Sequence, residues 1–128
     1  MRALIVDDSR AMRTILRGIL KGLGFETFEA GHGKEGLSRL AEVGVPDLAL
    51  VDWNMPEMNG LEFVQAVRSQ EANAEMRLLM ITTETDMGRV TAALEAGAND
   101  YLMKPFTKES MLDKLAMLGL AELPGAGI

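Results

Sequence analysis

The fold class this 128-residue chain predicts is a doubly wound α/β sandwich, on three observations. Strand-like and helix-like segments alternate five times. The strand-like segments are short apolar runs bounded by polar or Gly/Pro residues, the pattern of strands buried on both faces of a parallel sheet. Four of those runs also end in chemistry-bearing residues: Leu4-Ile5-Val6 in Asp7-Asp8, Leu48-Ala49-Leu50-Val51 in Asp52, Leu78-Leu79-Met80-Ile81 in Thr82-Thr83, and Tyr101-Leu102-Met103 in Lys104-Pro105. A parallel sheet brings all its strand ends to one edge, and its right-handed crossovers lay a helix on one face or the other. Ligands of such sheets bind outside the carboxyl ends, so three carboxylates, a hydroxyl and an ammonium are expected in one small site.

After the first strand, Met12, Ile15, Leu16, Ile19, Leu20 and Leu23 recur at helical spacing and predict one apolar helix face, with Ser9 as N-cap and Gly24 as the left-handed stop. Phe25 to Ala30 reads as a second strand, its Glu26, Thr27 and Glu29 marking an edge. Lys34 to Val43 predicts the second helix, closed by Gly44 and the turn at Pro46-Asp47. Leu48 to Val51 delivers Asp52 into a loop, Trp53 to Asn59. A helix from about Gly60 to Ser69 follows, with Leu61, Val64 and Val67 turned inward. Gln70 to Met76 reads as a polar connection to the fourth strand. The fourth helix, about Asp86 to Ala96, is expected to bury Met87, Val90, Thr91 and Leu94, with Gly97 as its cap. Thr107 opens a fifth helix carrying Met111, Leu115 and Leu118. The last residues, 121 to 128, with Pro124, Gly125 and Gly127, are expected to form a short flexible tail.

The length fits one domain with its own core, with no internal repeat and no second module after the fifth helix. A net charge of −6 disfavours nucleic acid and anionic membranes, which need basic patches. Without cysteine, disulfides and thiolate metal sites are excluded. The first apolar run, Ala3 to Val6, is too short for a signal peptide, and nothing approaches the ~20 apolar residues of a membrane span. A cytoplasmic protein without membrane insertion is expected.

Bare carboxylates from Asp7, Asp8 and Asp52 would repel one another, and a hard divalent cation such as Mg²⁺ relieves that repulsion through carboxylates, a carbonyl and waters. Acidic residues at strand ends also cap turns; the convergence of three argues for the metal. Lys104 can form a structural ion pair with an aspartate or bind a transferring phosphoryl oxygen, and the two roles are compatible. Thr82 offers a hydroxyl and an N–H to an anion. A carboxylate nucleophile beside Mg²⁺, a lysine and a threonine suits phosphoryl transfer, which needs an in-line nucleophile and positive charge on the equatorial oxygens.

Asp7-Asp8, Asp52 in Asp52-Trp53-Asn54-Met55-Pro56 with Gly60, then Thr82, Tyr101 and Lys104-Pro105-Phe106, resemble the receiver domain of two-component response regulators, most closely the stand-alone CheY-like type. The resemblance covers residues 1 to about 120. It implies a flavodoxin-like (βα)5 fold with strand order 2-1-3-4-5. It implies that Asp52 takes a phosphoryl group from a histidine kinase or phosphotransfer protein. Mg²⁺ would be held by Asp8, Asp52 and the carbonyl of Asn54, with Asp7 acting through water. Lys104 would contact the phosphoryl group and be followed by a cis bond to Pro105, while Thr82 and Tyr101 form a switch pair. The output would be a target protein bound on the surface of the fourth helix, fifth strand and fifth helix, by a monomer serving chemotaxis or another signalling pathway. Such a protein catalyses only its own phosphorylation and dephosphorylation.

Thr83 departs from the family, which usually places alanine, glycine or serine there. Its β-branched side chain would narrow access to Asp52. An aspartate-nucleophile phosphohydrolase is the rival from the enzyme class, but it usually carries a second acid two residues on, where Asn54 stands, and no cap domain is present. A pseudo-receiver would have lost Asp52, Lys104 or an acidic partner. A flavin site lacks its phosphate loop. His32, in Gly31-His32-Gly33, reads as turn decoration rather than a relay histidine. Met87, Met103, Met111 and Met117 read as core or as an adaptable partner surface. Trp53 reads as a partly exposed loop residue.

Overall fold

The computed structural model describes residues 1–83 and 87–121, with Met87 described in its backbone only. Five strands, β1 (Arg2–Val6), β2 (Glu26–Ala30), β3 (Leu48–Asp52), β4 (Arg77–Thr82) and β5 (Asp100–Met103), pair in parallel in the order β2-β1-β3-β4-β5. This is the flavodoxin-like order that the resemblance implied. Helices α1 (Arg10–Gly22), α2 (Gly33–Val43), α3 (Gly60–Arg68), α4 (Met87–Ala96) and α5 (Lys108–Met117) make the crossovers. The expected start of α4 at Asp86 and the terminal tail from Glu122 lie outside the described residues.

Alternation along each strand divides the core into two layers, because successive side chains leave a strand on opposite faces. Leu4, Val6, Ala49, Val51, Leu78 and Met80 face α2, α3 and α4 and pack on Phe63, Val64, Val67 and Ala93. Ala3, Ile5, Leu48, Leu50, Leu79, Ile81 and Leu102 face the other way, onto Leu16 and Leu20 of α1 and Met111 and Leu115 of α5. The central strands are therefore buried on both sides, which is why they read as continuous apolar runs. β2 is the predicted edge, with Glu26 exposed and only Ala30 buried.

The helix ends follow the expected capping chemistry. The Ser9 hydroxyl accepts the Met12 N–H at 3.1 Å, and Thr107 and Ser110 form a reciprocal box at the start of α5. Gly24 adopts a positive φ of 91° after α1. His32 caps α2, its Nδ1 accepting the Glu35 N–H at 3.2 Å. Its turn role is therefore specific.

Four expectations need correction. Ile15 stands 53% exposed, because the α1 stripe is narrower than its apolar spacing and closes on Leu16 and Leu20. On α4 the inward residues are Val90 and Ala93, while Thr91 and Leu94 face out, so small side chains let this helix approach the sheet. On α3 Phe63 is fully buried beside Val64 and Val67, and Leu61 is only half-buried. The connection after α3 is not uniformly polar: it holds a 3₁₀ turn, Glu71–Asn73, and buries Asn73 and Met76. Arg68 ties this connection down, donating to the carbonyls of Asn73, Met76 and Gly97.

Gly60, the first residue of α3, brings that helix against the end of β3. A Cβ there would meet Met80 Cε at 2.6 Å and the Trp53 Cα at 3.0 Å. The methionine can swing aside but the backbone cannot. Alanine is the better helix former by about 1 kcal/mol, whereas overpacking costs about 1–3 kcal/mol. Gly60→Ala is therefore expected to lower stability by up to about 2 kcal/mol in denaturant melts. A gain in stability would show that the loop from Trp53 to Asn59 yields freely.

Candidate functional site

Asp7 and Asp8 follow the last residue of β1, Asp52 closes β3, Thr82 closes β4, and Lys104 follows β5. Parallel pairing of β1, β3 and β4 sets these ends side by side, with Val6 opposite Val51 and Asp52 opposite Ile81. The carboxylates of Asp7, Asp8 and Asp52 lie within 4.8 Å of one another. Lys104 Nζ sits 3.2 Å from Asp52 Oδ1. Lys104 and Pro105 are joined by a cis bond, as the resemblance implied.

Each group is set by main-chain contacts around it. The Asp7 N–H donates to the Ala30 carbonyl of β2 at 3.1 Å, and the Ser9 N–H donates to Asp7 Oδ1 at 2.8 Å. Asp7 Oδ2 is buried without a hydrogen-bond partner. Below Asp52, the Trp53 N–H donates to the Ile81 carbonyl and the Gly60 N–H to the Trp53 carbonyl, which holds the turn out of β3. The Lys104 N–H donates to the Thr82 carbonyl at 2.7 Å and fixes the root of the lysine.

The electrostatics are those of a crowded acidic pocket. Burial, then the neighbouring Asp7 charge, push the Asp52 carboxyl up to about 6 against the pull of Lys104. Burial also raises Asp7, opposed by the Ser9 N–H. Asp52 therefore remains mostly ionised at neutral pH while keeping the basicity a nucleophile needs. The cluster also fits a hard divalent cation: all its donors are carboxylate oxygens within one ion's reach, and one buried oxygen lacks any partner.

Thr82 is 1% exposed and its Oγ1 donates to the Thr83 carbonyl at 3.3 Å. Thr83 itself is half-buried. Asn54 is exposed in the loop two residues past Asp52. Tyr101 does not join the acidic cluster. It pairs with Met80 near the start of β5, so by strand alternation it shares the α4 side of the sheet with Thr82, two residues further along β4. Lys114 Nζ stands 4.8 Å above its ring and 3.1 Å from Asp100 Oδ1.

The expectation for Trp53 is corrected here: it is 3% exposed and belongs to the core cluster with Val51 and Phe63. It continues the face of Ala49 and Val51 past the end of β3, a signal that strand alternation carried one residue further would have revealed. Sequence reasoning also missed Arg13, whose Nη1 donates to the Asp7 carbonyl at 2.6 Å. Nothing in its spacing distinguishes it from other polar-face arginines of α1.

A Lys-bridged aspartate inside an acidic cluster, on the carboxyl edge of a doubly wound sheet, is an arrangement suited to phosphoryl transfer. The family comparison agrees: the response regulator receiver domain matches residues 3–116. The chemotaxis protein CheY1 of Helicobacter pylori is 44% identical over 119 residues, covering 92% of this chain and 96% of that protein. A chemotaxis protein CheY homolog of Campylobacter jejuni is 42% identical, covering 98% of each. Among solved structures, the chemotaxis protein CheY4 of Vibrio cholerae superposes with a TM-score of 0.84 at 36% identity, over 91% of this chain and 97% of that one. The chain belongs to the response regulator receiver family. It is a CheY-like receiver of phosphorelay signalling, and the phosphohydrolase alternative falls away. Such a receiver has a kinase-type phosphodonor and a downstream target. Among the described residues, no helix is long and apolar enough to cross a membrane.

Proposed function

We propose that Asp52 is the phosphoacceptor of a chemotaxis-type switch. The observation that carries this reading is the buried Asp52 carboxylate, bridged to Lys104 at 3.2 Å and flanked by Asp7 and Asp8. An Asp52 oxygen attacks the phosphorus of a phosphohistidine in line. The N–P bond breaks, the histidine nitrogen leaves with the bond's electron pair and takes a proton, and an acyl phosphate forms on Asp52. Lys104 exchanges its contact with the carboxylate for one with a phosphoryl oxygen. Asp8, Asp52 and the Asn54 carbonyl would hold Mg²⁺, with Asp7 acting through water. Bound there, Mg²⁺ supplies positive charge to the phosphoryl oxygens. The working unit is residues 1 to 120, and it acts as a cytoplasmic monomer.

The test is direct. The full chain is incubated with acetyl phosphate and Mg²⁺, then reduced with borohydride, which converts an aspartyl phosphate to homoserine. Peptide mass mapping is expected to find homoserine at position 52 alone. Modification elsewhere, or none, would overturn the assignment. Thr83 is expected to slow the exchange of phosphate with small donors and water, so Thr83→Ala should speed labelling, hydrolysis or both.

Output is proposed to run through Thr82 and Tyr101 to the α4-β5-α5 face. New acceptor oxygens on Asp52 would draw the Thr82 hydroxyl from the Thr83 carbonyl. Tyr101 would then turn inward on the same side of the sheet, as a population shift between two arrangements. Thr82→Ala should accept phosphate and transmit poorly, while Tyr101→Ala should lose target binding more than phosphorylation. Amide exchange with and without a beryllium fluoride mimic checks the route. Protection changes confined to the Asp52 loop, with residues 84 to 106 unchanged, would reject it.

A further inference from the structure

The Asp7-Asp8 corner is braced from behind by a chain of charges that the phosphotransfer reading does not use. Arg13 donates Nη1 to the Asp7 carbonyl at 2.6 Å while its Nε stands 3.3 Å from Glu29 Oε1 on β2. The other Glu29 oxygen takes Arg17 Nη1 at 2.8 Å. Arg13 is thus clamped at both ends, and its side chain is only 19% exposed. The main chain of Asp7 is consequently gripped on both sides, its N–H by Ala30 of β2 and its carbonyl by Arg13. That carbonyl belongs to the peptide plane leading to Asp8, so the plane's orientation sets the direction in which the Asp8 side chain leaves the backbone.

We infer that Arg13, clamped by Glu29, is a positioning residue for the cation site, fixing the Asp7-Asp8 peptide so that both carboxylates face Asp52. The inference rests on the reading that this cluster takes a divalent cation. Charge and positioning make opposite forecasts, which renders the idea testable. If Arg13 acted only as a nearby positive charge, its loss would tighten Mg²⁺ binding. If it orients ligands, its loss weakens binding, and removal of such an orienting partner typically costs about tenfold or more in metal affinity. Glu29 already balances much of the Arg13 charge, so the orienting effect should dominate.

The experiment is a Mg²⁺ titration of the full chain, read by Trp53 fluorescence and by the rise in melting temperature. Arg13→Gln should weaken the dissociation constant about tenfold. Glu29→Gln, which keeps Arg13 but frees it, should shift it in the same direction by less. Arg13→Lys, retaining a donor for the Asp7 carbonyl, should recover part of the affinity. Should Arg13→Gln fold poorly in its metal-free melt, Arg13→Lys decides alone, because it keeps the charge: only an orienting role predicts weaker binding than in the unaltered chain, and equal affinity would overturn it. Affinity unchanged or tightened in the folded variants would overturn the role of Arg13. No Mg²⁺ response in the unaltered chain would instead overturn the cation reading, and this inference with it.

Discussion

Asp52→Asn is expected to take no phosphoryl label and, at the same time, to melt about 10 °C higher than the unaltered chain in metal-free buffer at pH 7. The two effects have one cause. The Asp52 carboxyl is raised from 3.8 to about 6 by burial and by Asp7, even with Lys104 bound to it. The folded state therefore holds this proton more tightly than the unfolded chain does. The stability linked to it is full below about pH 3.8 and is lost as pH rises through about 6. A rise of that size corresponds to about 3 kcal/mol. Asparagine cannot ionise, so the variant avoids the loss, and in a chain of this length each kcal/mol moves the melting temperature by about 3–5 °C. Melts from pH 4 to 8 in EDTA check this through the difference between the two proteins, which should open between pH 4 and 6 and stay flat above. Saturation with Mg²⁺ should then narrow the gap, since ligand at ten times its dissociation constant adds about 1.4 kcal/mol. A pH-independent difference, or a less stable variant, would show that burial and the Asp7 charge do not raise the Asp52 carboxyl.

The parallel sheet that crowds these carboxylates also explains which parts of the molecule are legible in the sequence. Strand runs such as Leu48 to Val51 are legible because burial on both faces leaves them no polar position. The site is legible because parallel strands leave Asp7, Asp52, Thr82 and Lys104 only one edge to share. Helix faces were less legible. On α4 the choice between Val90 with Ala93 and Thr91 with Leu94 turns on how closely the helix approaches Met80 and Ala98, and spacing alone does not contain that distance. Long-range braces were illegible altogether. Arg68, which gathers carbonyls from two separate connections, and Arg13, which joins Asp7 to Glu29, look in sequence like any helix-surface arginine. Their roles exist only once the sheet has brought distant segments together.

Lys104→Ala is expected to separate the two roles that sequence left open for this lysine, because they carry opposite signs in two measurements. In the metal-free protein the ammonium occupies Asp52 Oδ1 at 3.2 Å and so competes with a cation for that carboxylate. Its removal takes a positive charge from beside the site, and at an effective dielectric near 20 a unit charge a few ångströms away is worth well over 1 kcal/mol to a divalent ion. Mg²⁺ should therefore bind about tenfold tighter to the variant, a difference of about 1.4 kcal/mol. A structural ion pair alone would leave labelling by acetyl phosphate unchanged or faster, since more of the protein would carry metal. A cation that stabilises the transferring phosphoryl group predicts the reverse: loss of one such donor typically costs about 100-fold or more in rate. Tighter Mg²⁺ binding with labelling slowed about 100-fold is the expected pair of results, read by Trp53 fluorescence and by intact mass against time. Labelling at the unaltered rate would reduce Lys104 to a charge partner of Asp52 and move the burden of phosphoryl stabilisation onto the metal and Thr82.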